Sequence, residues 1–145
     1  MLNIFVLKGL SDSGKTTTLK LVDDLLNKKY SNPKPIDSKY SNNKPKDFWV
    51  IYDLNVNGKI IRVGLETGGD DYGYIYEDVK RFLLKKCEII FCACHPSGKT
   101  LEAINTYKYH GGTVTFIETI REPDKTKSDA KNKADALKLI QMAGL

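Results

Sequence analysis

Hydrophobic positions change period several times along the chain. Residues 2–7 are almost continuously apolar, as a strand buried on both faces of a parallel sheet should be. Residues 15–29 switch to helical spacing, with Leu19, Val22, Leu25 and Leu26 on one stripe. The stretch 30–47 loses any period. It holds Pro33, Pro35 and Pro45 among polar residues and carries Lys-Tyr-Ser-Asn twice, at 29–32 and 39–42. Such a stretch predicts a long polar loop with no regular element, functional or mobile in a chain this size. Residues 48–54 and 59–65 read as strands joined through Asn57-Gly58, a hairpin turn signal. A helix follows over 72–86, with Tyr72, Ile75, Val79, Phe82 and Leu83 on its apolar face. The pattern then gives a strand over 88–94, a short helix ending near Tyr109, and a strand over 113–117. The last helix is expected over 128–143, with Ser128 as N-cap and Ala130, Ala134, Leu137 and Ile140 facing inward.

Strands alternating with helices imply an α/β fold. The expected architecture is a mostly parallel five-stranded sheet with one antiparallel edge strand and helices on both faces, in one domain spanning 1–145. Ligands in such sheets bind beyond the carboxyl ends of the strands. Residues 66–71, 95–99 and 118–121 all follow strand ends, so they should gather at one edge.

The stretch that gives this edge its chemistry is Gly9-Leu10-Ser11-Asp12-Ser13-Gly14-Lys15-Thr16, between the first strand and the first helix. Its spacing is GxxxxGKT. Gly9 and Gly14 permit a tight turn whose N–H groups converge on phosphate oxygens. The N-terminus of the following helix adds positive potential. Lys15 can reach β- and γ-phosphates, and the Thr16 hydroxyl can sit on Mg²⁺. Through this Walker A motif the chain resembles the P-loop NTPase superfamily. The resemblance implies a three-layer P-loop fold and binding of Mg-ATP or another nucleoside triphosphate. Gly9, Ser11, Asp12, Ser13, Gly14, Lys15, Thr16 and Thr17 would line the phosphates.

A second acidic segment, Glu66-Thr67-Gly68-Gly69-Asp70-Asp71, follows the fourth apolar run. Mg²⁺ needs a carboxylate beyond the P-loop hydroxyl, and Glu66, Asp70 and Asp71 are the candidates. The metal set is read as Thr16, Asp70 and Asp71. Catalytic roles fall to Lys15, Asp70, Glu66 and Arg121. Gly68-Gly69 lets the backbone approach a γ-phosphate.

Over residues 1–94 the layout is similar to the small GTPases, with Glu66 where their Asp-x-x-Gly has Asp. Their guanine-reading Asn-Lys-x-Asp is matched in letters by Asn132-Lys133-Ala134-Asp135. That match falls inside the last predicted helix, so it reads as helix surface and guanine specificity is unsupported. Small-metabolite and nucleotide kinases share the P-loop and the size, and commonly clamp phosphate with lid arginines. Only Arg121 is placed for that at this edge. Cys92, Cys94 and His95 lack a fourth ligand for zinc, and the two cysteines read as core packing. His95 can contact a ligand or orient a water, and Ser97-Gly98-Lys99-Thr100 resembles the tail of a second P-loop.

Composition narrows the setting. All but three of the 23 basic residues are lysine, and the net charge is +5. This reads as a solvated surface that also suits a polyanion. No apolar run reaches a membrane span, and no signal peptide is read at the N-terminus. Three cysteines (Cys87, Cys92 and Cys94) suggest reduced thiols and a cytoplasmic protein. The expected activity is ATP hydrolysis or phosphoryl transfer, most specifically a kinase with a small-molecule acceptor. The alternative is a nucleotide-dependent module acting on a protein or nucleic-acid partner.

Overall fold

The computed structural model describes residues 1–40 and 47–145. In chain order the elements are β1 (Leu2–Lys8), α1 (Lys15–Lys29), β2 (Pro35–Tyr40), β3 (Phe48–Val56), β4 (Lys59–Glu66), α2 (Tyr72–Leu84), β5 (Ile89–Cys94), α3 (Lys99–Asn105), a 3₁₀ turn (Thr106–His110), β6 (Gly112–Glu118) and α4 (Lys125–Met142). The fold is α/β around a six-stranded mixed sheet in the order β2-β3-β4-β5-β1-β6. Neighbours from β4 through β6 are parallel, while β2, β3 and β4 form an antiparallel meander.

Side chains alternate across the strands and divide the core in two. Phe5, Leu7, Leu65 and Phe91 pack with Leu19, Val22 and Leu26 of α1 and with Ala136, Leu139 and Ile140 of α4. Ile4, Val6, Ile90 and Cys92 pack with Ile75, Val79 and Phe82 of α2 and with Ala103 and Ile104 of α3. All three cysteines are buried and free. Among the described residues, no helix is long and apolar enough to cross a membrane.

Three expectations from the sequence change. First, part of the stretch 30–47 is a strand. β2 pairs with β3 across a register irregularity between Pro35 and Asp37, so six strands replace five and β3 is not at the edge. An edge strand tolerates proline because one side of it makes no ladder bonds. The rest of that expected loop, 41–46, lies outside the described residues. Second, α4 starts three residues earlier than Ser128, capped by the Asp124 side chain, which accepts from the Lys127 N–H at 2.9 Å. Third, its inward face is Asn132, Ala136, Leu139 and Ile140, while Ala130, Ala134 and Leu137 are exposed. Likewise Tyr72 of α2 is exposed rather than inward.

Candidate functional site

The loop after β1 is clamped between its neighbours. The Gly9 N–H donates to the Cys94 carbonyl at 3.1 Å, and the Thr119 N–H donates to the Lys8 carbonyl at 2.9 Å. The loop then turns through Asp12 and Gly14, with φ of 62° and 89°. Gly14 is the N-cap of α1, and helical bonding begins where the Thr18 N–H donates to the Gly14 carbonyl. The first N–H groups of α1 have no carbonyl one turn earlier in the helix to receive them. They and the helix dipole supply an anion-favouring end.

Lys15 is buried at this end. Its ammonium donates to the carbonyls of Gly9 at 2.7 Å and Leu10 at 2.8 Å, and lies 3.3 Å from Asp70 Oδ1. The same Asp70 oxygen is 2.7 Å from His95 Nε2. Partial burial works against the charged form of Asp70, but the His95 hydrogen bond and the Lys15 charge outweigh it and hold the carboxyl below its usual range. Lys15, Asp70 and His95, brought from α1, the loop after β4 and the end of β5, thus form one connected group. Gly69 makes that approach possible. A Cβ there would sit 2.7 Å from Ala93 Cβ and 2.9 Å from Lys15 Cε.

Thr16 faces a second cluster of oxygens. Its hydroxyl donates to the Thr67 carbonyl at 3.2 Å and lies 3.5 Å from Asp47 Oδ1. Oxygen donors of this kind suit a hard divalent cation. Asp47 went unnoticed in the sequence because it closes a polar run and precedes a strand; only the β3–β4 pairing carries it to Thr16.

The other candidates lie elsewhere. Glu66 is buried on the α2 side of the sheet, sharing a hydrogen bond with Asp78 and leaving Oε1 without a hydrogen-bond partner among the described residues. Burial, then the charge of Asp78, pushes its carboxyl well up. Arg81 pairs with Asp78 and stacks on Trp49 with its guanidinium carbon 4.0 Å from the ring centre. Asp71 caps α2, accepting from the Tyr74 N–H at 3.3 Å. Arg121 is exposed in the loop before α4, while Ser11, Asp12 and Thr17 are exposed around the loop after β1 and Ser13 is buried. The Thr100 hydroxyl accepts from the His95 N–H at 2.9 Å, fixing the turn after β5.

A support for the loop comes from α4. Lys131 donates to the Ser13 carbonyl at 3.1 Å and to Thr119 Oγ1 at 2.6 Å. Asn132, expected on the helix surface, is buried against Gly14, where a Cβ would come within 2.4 Å of its Oδ1. Of the four-letter match at 132–135, Asn132 alone turns inward, and Lys133 and Ala134 are exposed. Neither a family model nor a curated protein nor a solved structure matches the chain.

Proposed function

We propose that the chain is a small P-loop nucleoside-triphosphate-binding protein with the three-layer P-loop fold, acting by hydrolysis or phosphoryl transfer. The observation that carries this is Lys15. A buried ammonium, held by the Gly9 and Leu10 carbonyls at the start of α1, is an electropositive point in need of an anion. Asp70 partly fills that role in the ligand-free chain. Incoming phosphate oxygens would take its place at Lys15 and at the α1 N-terminus.

Thr16 and Asp47 are the residues best placed to hold Mg²⁺, with Asp70 close by; the ion would neutralise charge growing on the transferring oxygens. Asp71 is committed to capping and Glu66 to Asp78, so both are weaker candidates than their sequence position implies. Asp70 hydrogen-bonds the His95 ring, a pairing that would let the imidazole serve as a general base toward a water or acceptor hydroxyl. Arg62 is paired with Asp53 and Arg81 with Asp78, which leaves Arg121 as the arginine without an ion pair among the described residues. A small-molecule kinase is the more specific form of this reading, with Arg121 as the candidate phosphate clamp. The buried thiols suit a cytoplasmic setting.

A thermal-shift panel of ATP, GTP, dATP, ADP and AMP with Mg²⁺ tests the reading on wild type and Lys15→Ala. A ligand at about 100 times its dissociation constant adds about 2.7 kcal/mol. One triphosphate should raise the melting temperature of wild type and leave Lys15→Ala unmoved. No shift of the wild type with any nucleotide would overturn the proposal.

A further inference from the structure

Tyr72, Tyr74 and Tyr76 at the start of α2 are 42%, 64% and 37% exposed. Buried tyrosine needs no special account, but three exposed rings on two turns of one helix do. Tyr72 and Tyr76 stack on each other, with ring centres 5.9 Å apart and planes 28° apart. Lysines flank the pair at both ends. Lys80 lies 4.6 Å from the Tyr76 ring centre, and Lys99, the first residue of α3, lies 5.9 Å from that of Tyr72. Positions 72, 76 and 80 follow one face of α2 over about 12 Å. Glu77 projects about 100° around the helix from Tyr76, Asp71 caps the helix just before Tyr72, and Tyr74 points to the opposite side, about 200° from both stacked rings.

We infer that this Lys99–Tyr72–Tyr76–Lys80 ladder is a docking surface for single-stranded nucleic acid. Lys80 and Lys99 lie over the outer ring faces; drawn to the phosphates of an incoming strand, they would free those faces for unpaired bases, which stack on tyrosine regardless of sequence. The chain's net charge of +5 acts in the same direction at longer range. A duplex hides its base faces and leaves the rings unused. An acidic protein would engage the lysines and likewise give the rings no partner. The ladder adjoins the candidate site without touching Lys15: Tyr72 lies two residues after Asp70, and Lys99 precedes Thr100, which accepts from the His95 N–H.

Fluorescence anisotropy with labelled oligothymidylate, oligouridylate and a mixed-sequence duplex tests it. The wild type should bind either single strand more tightly than the duplex. Tyr72→Ala/Tyr76→Ala should weaken single-strand binding by about tenfold or more, while Tyr72→Phe/Tyr76→Phe stays within about twofold. Lys80→Gln/Lys99→Gln should reduce the salt slope by about 1.4, as the loss of two phosphate contacts requires. All three are surface changes, and a matched melting temperature confirms folding. No single-strand binding by wild type would overturn the inference. So would equal affinity for duplex, an alanine variant that binds as wild type does, or a polyglutamate competitor as effective as the oligonucleotide. The Lys15→Ala protein should bind the strand as wild type does, so loss of the nucleotide site and loss of this one are told apart.

Discussion

Gly14 shows two requirements converging on one residue. Its φ of 89° lies in the left-handed region, and its Cβ position is filled by Asn132 Oδ1. A side chain there meets a backbone cost of roughly 1–2 kcal/mol and then a steric one. Gly14→Ala should therefore destabilise the chain by more than the backbone cost. Adding Asn132→Ala should recover only the steric part, visible as a coupling in a double-mutant cycle from urea melts. Additive effects would mean that α4 does not touch the loop in solution. The glycine was legible from the GxxxxGKT spacing, since that pattern specifies a tight turn. Its buried neighbour was not, because an asparagine in a charged helix reads as solvent-facing.

At the scale of elements, α4 and α2 each add a function that their periodicity hides. Two stripes compete on α4: Ala130, Ala134, Leu137 and Ile140 fit helical spacing as well as the true face, and they share Ile140 with it. What decides between them is Lys131, which reaches the Ser13 carbonyl and Thr119 only when Asn132 and Ala136 turn inward. Lys131→Met should cost about 1–2 kcal/mol, as a lost bond from a partly exposed cation does. It should also weaken nucleotide binding with no loss of a ligand contact, a pairing that isothermal calorimetry and melts can check together. Unchanged affinity would reduce α4 to packing.

On α2, burial raises Asp78 to about 6 from 3.8, and it raises Glu66 in the same direction. The folded chain then holds more protons than the unfolded chain between those values, so stability should fall as pH rises from 3.8 through about 6. Glu66 extends the fall upward. Glu66→Gln keeps a donor for Asp78 without the titrating proton. It should flatten the upper part of that fall in urea melts across pH; an identical profile in both proteins would show that the pair is not buried together.

The whole molecule depends on strand order, and order is where sequence reasoning reaches its limit. Five strands and every helix follow from local period, because apolar runs and turn signals are local. β2 does not, since Pro33, Pro35 and its polar residues deny it any apolar alternation. That β5 lies between β4 and β1 is a non-local pairing that no window of sequence contains. Yet this insertion shapes the site: the loop after β4 must cross the end of β5 to reach Lys15, and it does so on Gly69 against Ala93. The meeting of Asp70 and His95 with Lys15 at one sheet edge follows from strand ends. The division of labour within 66–71 does not, because capping by Asp71 and the inward turn of Glu66 are set by α2.

The second core cluster contains every thiol of the chain. Cys87, Cys92 and Cys94 lie with Ile75, Val79 and Phe82, and burial pushes Cys87 up to about 12 and Cys94 to about 11. Closed, this cluster is chemically silent, because little thiolate is present and reagents have no entry. Alkylation can proceed only during moments when α2 or α3 lifts from the sheet. The protein therefore carries an internal clock for the opening of the same helix that presents the tyrosine ladder, and its rate can be read without adding a probe.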